Sequence, residues 1–338
     1  MGRDMKKARA KATTCRFVSA ATLALISALS MLLLSEQSRA ETYPERSIKI
    51  VVPFPAGGPT DVAARLVAQA LSSRLSQNVI VENLAGGGGK LGTKAVATAS
   101  PDGYTLLLGG TNVNAIPASL KNLGYDPIGS FAPIAAICAD TMVLAVSPRV
   151  SANTVEELVQ QAKSQPGAFK FGAPQGIYTH LAGEFFKVKT GTDLLFVPYK
   201  GAAPAITDVL GGHIEMVFNN KSVLLTHIKE GKLKALAVTA GKRWPELPAT
   251  PTMQEAGIAG FPTEVSFGLL APAGTPAAII DILNHAVNEG LRSGAVRASL
   301  EKLGVEPRFG SPRDFALVLA EQAKEWKVVI EATGIKLE

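Results

Sequence analysis

The chain has 338 residues, 47% of them hydrophobic, so it is long enough to bury a sizeable core over two domains. Its formal charge of +6 is concentrated at the start, where the first 40 residues carry seven basic side chains against two acids; without them 27 positive and 26 negative charges remain, a net of +1. That balance leaves no basic face and excludes a nucleic-acid partner.

The start has a basic segment, an apolar run from Phe17 to Leu34, a polar spacer and the small-x-small end Ser38-Arg39-Ala40. This is the layout of a signal peptide cleaved after Ala40, which predicts export to the periplasm; an uncleaved anchor is the competing reading. After residue 40 one cysteine, Cys138, is left in the apolar run Ala-Ile-Cys-Ala, so no internal disulfide is expected and the thiol reads as a small buried hydrophobe.

From Ile48 onward β-rich runs alternate with helical ones. IKIVV precedes a helix from Asp61 to about Leu75, with Val62, Leu66 and Ala70 on one stripe and 63, 67 and 71 beside it. NVIVE, a glycine cluster with a short helix, and YTLLL complete a βαβαβ unit, which calls for parallel strands. A second series begins at MVLAVS (142–147). It continues through a helix with a Thr154–Glu157 capping box, FKFG, a helix after Tyr178, DLLFVP, a helix from about Ala203, IEMVF, a helix through Ile228 and LKALAVT. VSFGLLAP is expected to return to the first lobe, and the tail is helical behind Ser311, Pro312 and Asp314. The fold class is α/β with two lobes, each a mainly parallel sheet flanked by helices. The leader covers 1–40, lobe 1 covers 41–142 plus 263–338, and lobe 2 covers 143–262.

Ligands of parallel α/β sheets bind beyond the carboxyl ends of the strands. Five loops fall there: PFPAGGPTD (53–61), GGTN (109–112), GAPQGIYTH (172–180), PYKGAAP (198–204) and FNN (218–220). Four hold a glycine just before a helix, where backbone can approach an anion and helix N–H groups can meet it. Lys200 is their only cation. Catalysis lacks a constellation: there is no G-x-S-x-G elbow and no thiol–imidazole pair. GGGKLG (87–92) follows a strand, but sits at the second βα junction and lacks the acid that a dinucleotide site requires. His180, His213, His227 and His285 are scattered without metal-ligand spacing, and neither a metal nor another cofactor is expected. Asp61 reads as an organiser of its loop's N–H groups. Phe54 and Tyr199 read as cleft walls or packing, Thr111 and Thr179 as ligand contacts or caps, and Glu215 as a reader of a ligand amine or a solvated acid.

YPERSIKIVVPFPAGGPTDVAARLVAQAL and VIVENLAGGGGKLGTKAVATASPDGYTLLLG, with VPYKGAAPAITDVLGGHIEMVF, LAVTAGKRWPELPATPTMQEAG and GLLAPAGTP further on, resemble the Bug family of receptors for tripartite tricarboxylate transporters. The resemblance covers nearly the whole chain after residue 40. It implies a periplasmic binding protein of type II, Venus-flytrap-like, that closes by a hinge on a small carboxylate and has no catalytic activity. Contacts carried over fall on Phe54, Ala56, Gly57, Gly58, Asp61, Gly110, Thr111 and Asn112 in the first lobe. In the second they fall on Gln175, Gly176, Thr179, Tyr199, Gly201, Ala202, Ala203 and Glu215. The family's glycine-serine pair reads Gly176-Ile177 here, with Tyr178 next, which makes that wall bulkier and more apolar. The expected ligand is a dicarboxylate, an aromatic carboxylate or an amino acid. It is passed on to the membrane subunits of a tripartite transporter or to a sensor by a monomeric receptor. The alternative is an exported α/β enzyme acting on a small organic acid.

Overall fold

The computed structural model describes residues 43–117, 120, 123–292 and 294–335; the expected leader lies outside them. Chain contacts divide at Glu45. Residues 43–45 carry no helix or strand, and the chain from Arg46 onward is one compact unit that holds both sheets.

The first half of that unit begins as the hydrophobic pattern requires. β1 (Ile48–Val52), α1 (Pro59–Leu75), β2 (Val79–Asn83), α2 (Lys90–Ala97) and β3 (Thr105–Gly110) form the βαβαβ unit, with β1 parallel to both β2 and β3. The buried face of α1 runs through Ala63, Val67 and Leu71, while Val62 and Leu66 are half-buried beside it. A single π turn (Thr111–Ala115) follows β3.

β4 (Phe131–Asp140) was not signalled by alternation, because nearly all of FAPIAAICAD is buried or half-buried on both faces. One residue, Thr141, separates it from β5 (Met142–Val146), which belongs to the other sheet. The second series then runs α3 (Val155–Ser164), β6 (Lys170–Pro174), α4 (Tyr178–Thr190), β7 (Leu195–Tyr199), α5 (Ala202–Gly211), β8 (Met216–Asn220), α6 (Lys221–Lys229) and β9 (Lys234–Val238). The chain returns through β10 (Val265–Pro272) and ends in α7 (Ala277–Arg292), α8 (Gly294–Leu303), β11 (Glu306–Pro307) and α9 (Pro312–Thr333).

The sheets have the orders β11-β4-β10-β3-β1-β2 and β7-β6-β8-β5-β9. Each is parallel across its βαβ strands and antiparallel beyond them, so the sheets are mixed. The reason is topological. β10 re-enters at the carboxyl end of β3, pairing Phe267 with Gly110, and can only run against it. Both sheets carry their own cores, Val51, Leu107 and Phe315 in one and Val143, Val217 and Leu224 in the other. Each such buried side chain contributes roughly 1.5–3 kcal/mol of transfer free energy.

Two helix starts are fixed as their sequences require. Thr154 Oγ1 accepts the Glu157 N–H at 3.1 Å, although the Glu157 carboxylate reaches back to Asn153 N rather than to the cap itself. At α9 the capping box of Ser311 and Asp314 is complete. The buried stripe of α9 is Phe315, Leu319, Gln322, Trp326 and Val329, at helical spacing. Gln322 is its polar exception. Its Oε1 accepts both the Thr111 hydroxyl and the Ser266 hydroxyl at 2.7 Å, tying the π turn, β10 and α9 together.

The passage between sheets is polar and buried. Asp140, 1% exposed, accepts the Ser222 hydroxyl at the start of α6 and the Thr141 N–H. Burial outweighs these bonds and pushes its carboxyl up to about 6. A carboxyl raised in the folded state adds stability that is complete below its unfolded value and is lost as pH rises through the folded one. From about pH 7.5 to about pH 5, the wild type is therefore expected to gain roughly 1 kcal/mol relative to Asp140→Asn. Denaturant titrations of both proteins across that range check this, and parallel curves would remove Asp140 from the account.

Candidate functional site

A cavity of about 160 Å³ opens where the carboxyl ends of strands from both sheets meet. The β1–α1 loop brings Phe54, Pro55, Ala56 and Gly58 to it, the first turn of α1 brings Thr60, and the π turn brings Asn112. From the second sheet come Pro174, Ile177, Tyr178 and Thr179 after β6, Lys200 to Pro204 after β7, and Asn219 at the end of β8.

Three helices begin at this cavity: α1 behind Gly58, α4 behind Ile177 and α5 behind Gly201. None of the three N-cap residues supplies a side-chain cap, although at α4 the first N–H, that of Tyr178, is taken by Asn112 Oδ1. The first N–H groups of a helix have no intrahelical acceptor, and together they carry partial positive charge. Glycine at two of the caps keeps side-chain atoms away from those groups. Thr154 at α3 and Ser311 at α9 supply their own cap oxygen and Asp140 stands beside the start of α6, whereas α2, behind Gly89, also has no side-chain cap but does not open on this cavity. What sets the cavity apart is that three helix starts meet at it, where an anion is favoured.

The hydroxyl of Thr179 adds a second, independent sign. The residue is 2% exposed and lines the cavity, and its Oγ1 has no partner among the described residues. A buried hydroxyl without a partner is costly unless a bound group completes it. Across the cleft, Asn112 Oδ1 accepts the Tyr178 N–H at 3.2 Å, which joins the π turn to the start of α4. The Tyr178 hydroxyl is committed to Asn220 Oδ1, and burial together with the Asp140 charge pushes its ionisation far up. Lys200, exposed at the rim, is the single ionisable cation on the walls.

Half of the expected contacts come together here: Phe54, Ala56, Gly58, Asn112, Thr179, Gly201, Ala202 and Ala203. The others are placed elsewhere, each for a physical reason. Asp61 is buried behind the loop, where Oδ2 accepts Gly57 N and Arg65 Nε, and Oδ1 accepts Arg65 Nη2 and Asn83 Nδ2, all at 3.0 Å. Burial opposes its charge, but the Arg65 guanidinium, the Gly57 N–H and the Asn83 amide outweigh that and hold the carboxyl below its ordinary range. Gly57 is therefore the loop's tie to Asp61, turned at φ +85°.

Gly110 faces β10 rather than the cavity: a Cβ there would stand 2.1 Å from the Ser266 carbonyl oxygen, and its φ is +133°. Thr111, 1% exposed, donates to Gln322 and accepts Ser266 N at 2.8 Å. Gln175 and Gly176 line a separate cavity with Lys90, and Gly176 N donates to His180 Nδ1. Burial and the Lys187 charge lower His180 to about 4, so its ring is neutral with the proton on Nε2. The Tyr199 hydroxyl donates to Asp208 at 2.5 Å. Glu215 stands at the amino end of β8, the opposite end from Asn219, where it accepts Lys170 N at 2.7 Å and does not reach the cavity.

The cavity also uses residues outside the expected set: Pro55, Thr60, Pro174, Ile177, Tyr178, Lys200, Pro204 and Asn219. All lie inside the five loops, so the loops were the readable signal and the inward-facing members were not. Within GGGKLG, Gly89 and Gly92 serve packing, since a Cβ would lie 2.8 Å from Val113 Cγ1 at the first and 2.6 Å from the Leu84 carbonyl oxygen at the second, whereas Gly87 and Gly88 line the separate cavity of Gln175. Among the described residues there is no cluster of three or more metal-ligating side chains, and no helix is long and apolar enough to cross a membrane.

Comparison with known proteins gives a consistent set. Residues 63–335 match the model of the tripartite tricarboxylate transporter family receptor. Protein BugT of Bordetella pertussis is 37% identical over 302 residues, covering 88% of this chain and 93% of BugT. Rpa4515 of R. palustris, solved with adipate, is 34% identical with a TM-score of 0.82, over 87% of this chain and 99% of that one. MatC from Rhodopseudomonas palustris, solved with bound malate, is 30% identical with a TM-score of 0.80, over 85% of this chain and 100% of that one.

Proposed function

Because the chain belongs to the tripartite tricarboxylate transporter receptor family, whose members are periplasmic solute-binding proteins and not enzymes, we propose that it captures a small carboxylate in the cavity between its two sheets. Lobe 1 comprises 41–142 plus 263–338 and lobe 2 comprises 143–262. The lobes close on the ligand as a monomer in the periplasm, after removal of the leader behind Ala40. The receptor then delivers its cargo to the membrane subunits of a tripartite transporter or to a sensor.

The observation that carries this reading is the convergence of three uncapped helix starts on one cavity. A carboxylate there takes N–H donors from both lobes, and a ligand that touches both favours the closed arrangement over the open one. The adipate and malate held by the related proteins fit the same chemistry.

A thermal-shift screen of dicarboxylates, aromatic carboxylates and amino acids tests the proposal, since a ligand at 100 times its Kd stabilises by about 2.7 kcal/mol. At least one carboxylate is expected to raise the melting temperature. Thr179→Val, which removes the unpartnered hydroxyl and keeps the shape, is expected to leave the free protein as stable as the wild type. Its affinity should fall by about tenfold, the worth of one hydrogen bond to a charged group. A screen in which no carboxylate produces a shift would sink the reading.

A further inference from the structure

The carboxylate reading fixes one end of the ligand; the walls of the same cavity define the other. No Asp or Glu lines the cavity. The nearest acid along the loop, Asp61, has both oxygens engaged by Arg65, Gly57 and Asn83. An ammonium would therefore lose its water without gaining a carboxylate, and an unpaired buried charge is strongly unfavourable. A second or third carboxylate finds little more. There is no arginine on the walls, and the single lysine is at the exposed rim.

The remaining polar groups are partly committed. Asn112 Oδ1 takes the Tyr178 N–H, Asn219 Oδ1 takes the Asn220 N–H at 2.8 Å, and the Tyr178 hydroxyl is bound to Asn220. Apart from Thr60, apolar surface makes up most of the rest, from Phe54, Pro174, Ile177, the Tyr178 ring and Pro204. The volume, about 160 Å³, is close to the roughly 150 Å³ of an apolar cavity that admits benzene.

We propose that the ligand is a monocarboxylate with an uncharged, largely apolar body about the size of a six-membered ring, and that Ile177 and Tyr178 set this preference. The carboxylate lies at the helix starts and takes the Thr179 hydroxyl, and the body packs on the wall those two residues build. This differs from the dicarboxylates of the related structures, and it rests on the carboxylate reading above.

Calorimetry on the chain without residues 1–40 decides it, with benzoate, cyclohexanecarboxylate and hexanoate set against malate, adipate, citrate, glutamate and phenylalanine. The tightest monocarboxylate is expected to bind at least about tenfold more tightly than any dicarboxylate, tricarboxylate or amino acid, a difference of about 1.4 kcal/mol. Ile177→Ser places a favoured capping residue at the start of α4, so the helix is retained while the wall becomes polar. That variant should lose the tenfold preference, the new cap offsetting part of the stability that the buried Ile177 side chain supplied.

Malate, adipate or citrate binding most tightly would overturn the inference and leave the carboxylate reading standing, and an amino acid binding most tightly would do the same. Binding by none of the eight would defeat both. A preference that survives Ile177→Ser unchanged would remove Ile177 from the specificity claim.

Discussion

Gly110→Ala is expected to destabilise the first lobe by at least about 3 kcal/mol, through a backbone conformation and a contact that no side chain tolerates. At φ +133° the added carbon would stand 2.1 Å from the Ser266 carbonyl oxygen and 2.9 Å from its carbon, so β3 and β10 would have to separate. The neighbouring contacts would fail with them. The Gly110 N–H donates to Asn114 Oδ1, and Thr111 bonds Ser266 and Gln322. The π turn that presents Asn112 would shift, so affinity is expected to fall together with stability. Guanidinium unfolding and calorimetry check the two losses. A variant that unfolds within about 0.5 kcal/mol of the wild type would show that the sheet opens more easily than its register implies.

The second large effect is expected at Asp61. Removing its carboxylate in Asp61→Ala leaves the Gly57 N–H without its acceptor and the Asn83 amide with only the Phe54 carbonyl, while Arg65 is 57% exposed and regains water. The loss of stability is therefore roughly 2–3 kcal/mol, less than for a fully buried ion pair. Binding is expected to weaken by at least about tenfold, because the loop from Phe54 to Gly58 is no longer held ready and its ordering is charged to the ligand. The pH dependence has the opposite sign from that at Asp140. A carboxyl held below its ordinary value stabilises the fold above the unfolded pKa, near 4, and loses that contribution as pH falls through the folded value. Asp61→Asn should show a flatter loss of stability in acid than the wild type. Wild-type affinity retained by Asp61→Ala would mean that the loop is ordered by its own packing.

What could be read from the sequence follows the range of each signal. Helices and the parallel strands were legible because their periods and caps are local, as at Thr154 and Ser311. β4 was not, since a strand covered on both faces shows no alternation, and its partner β10 lies more than a hundred residues further on. The loops of the site were legible from glycines placed before helices. Which glycine meets a ligand and which meets a neighbouring strand was not. Gly58 and Gly110 look alike in sequence, and only the return of β10 beside Gly110 separates them. Glu215 failed for a related reason: IEMVF gives the strand but does not say which end faces the cleft, and the acid fell at the far one. Ile177 and Tyr178 were visible as an unusual wall, although the commitment of the Tyr178 hydroxyl to Asn220 depends on β8.

Cys138 is fully buried on β4, and burial, with the Asp140 charge, drives its ionisation well above neutral pH. It is the only cysteine among the described residues, so in the chain without residues 1–40, which hold Cys15, a thiol-reactive label finds no exposed cysteine among them. A cysteine introduced at Ala203, exposed on the rim of the cavity, would then be the single point of attachment. A polarity-sensitive fluorophore coupled there would report ligand capture as a change in emission. The buried thiol thus leaves the chain from residue 41 onward ready for use as an optical sensor without replacement of Cys138.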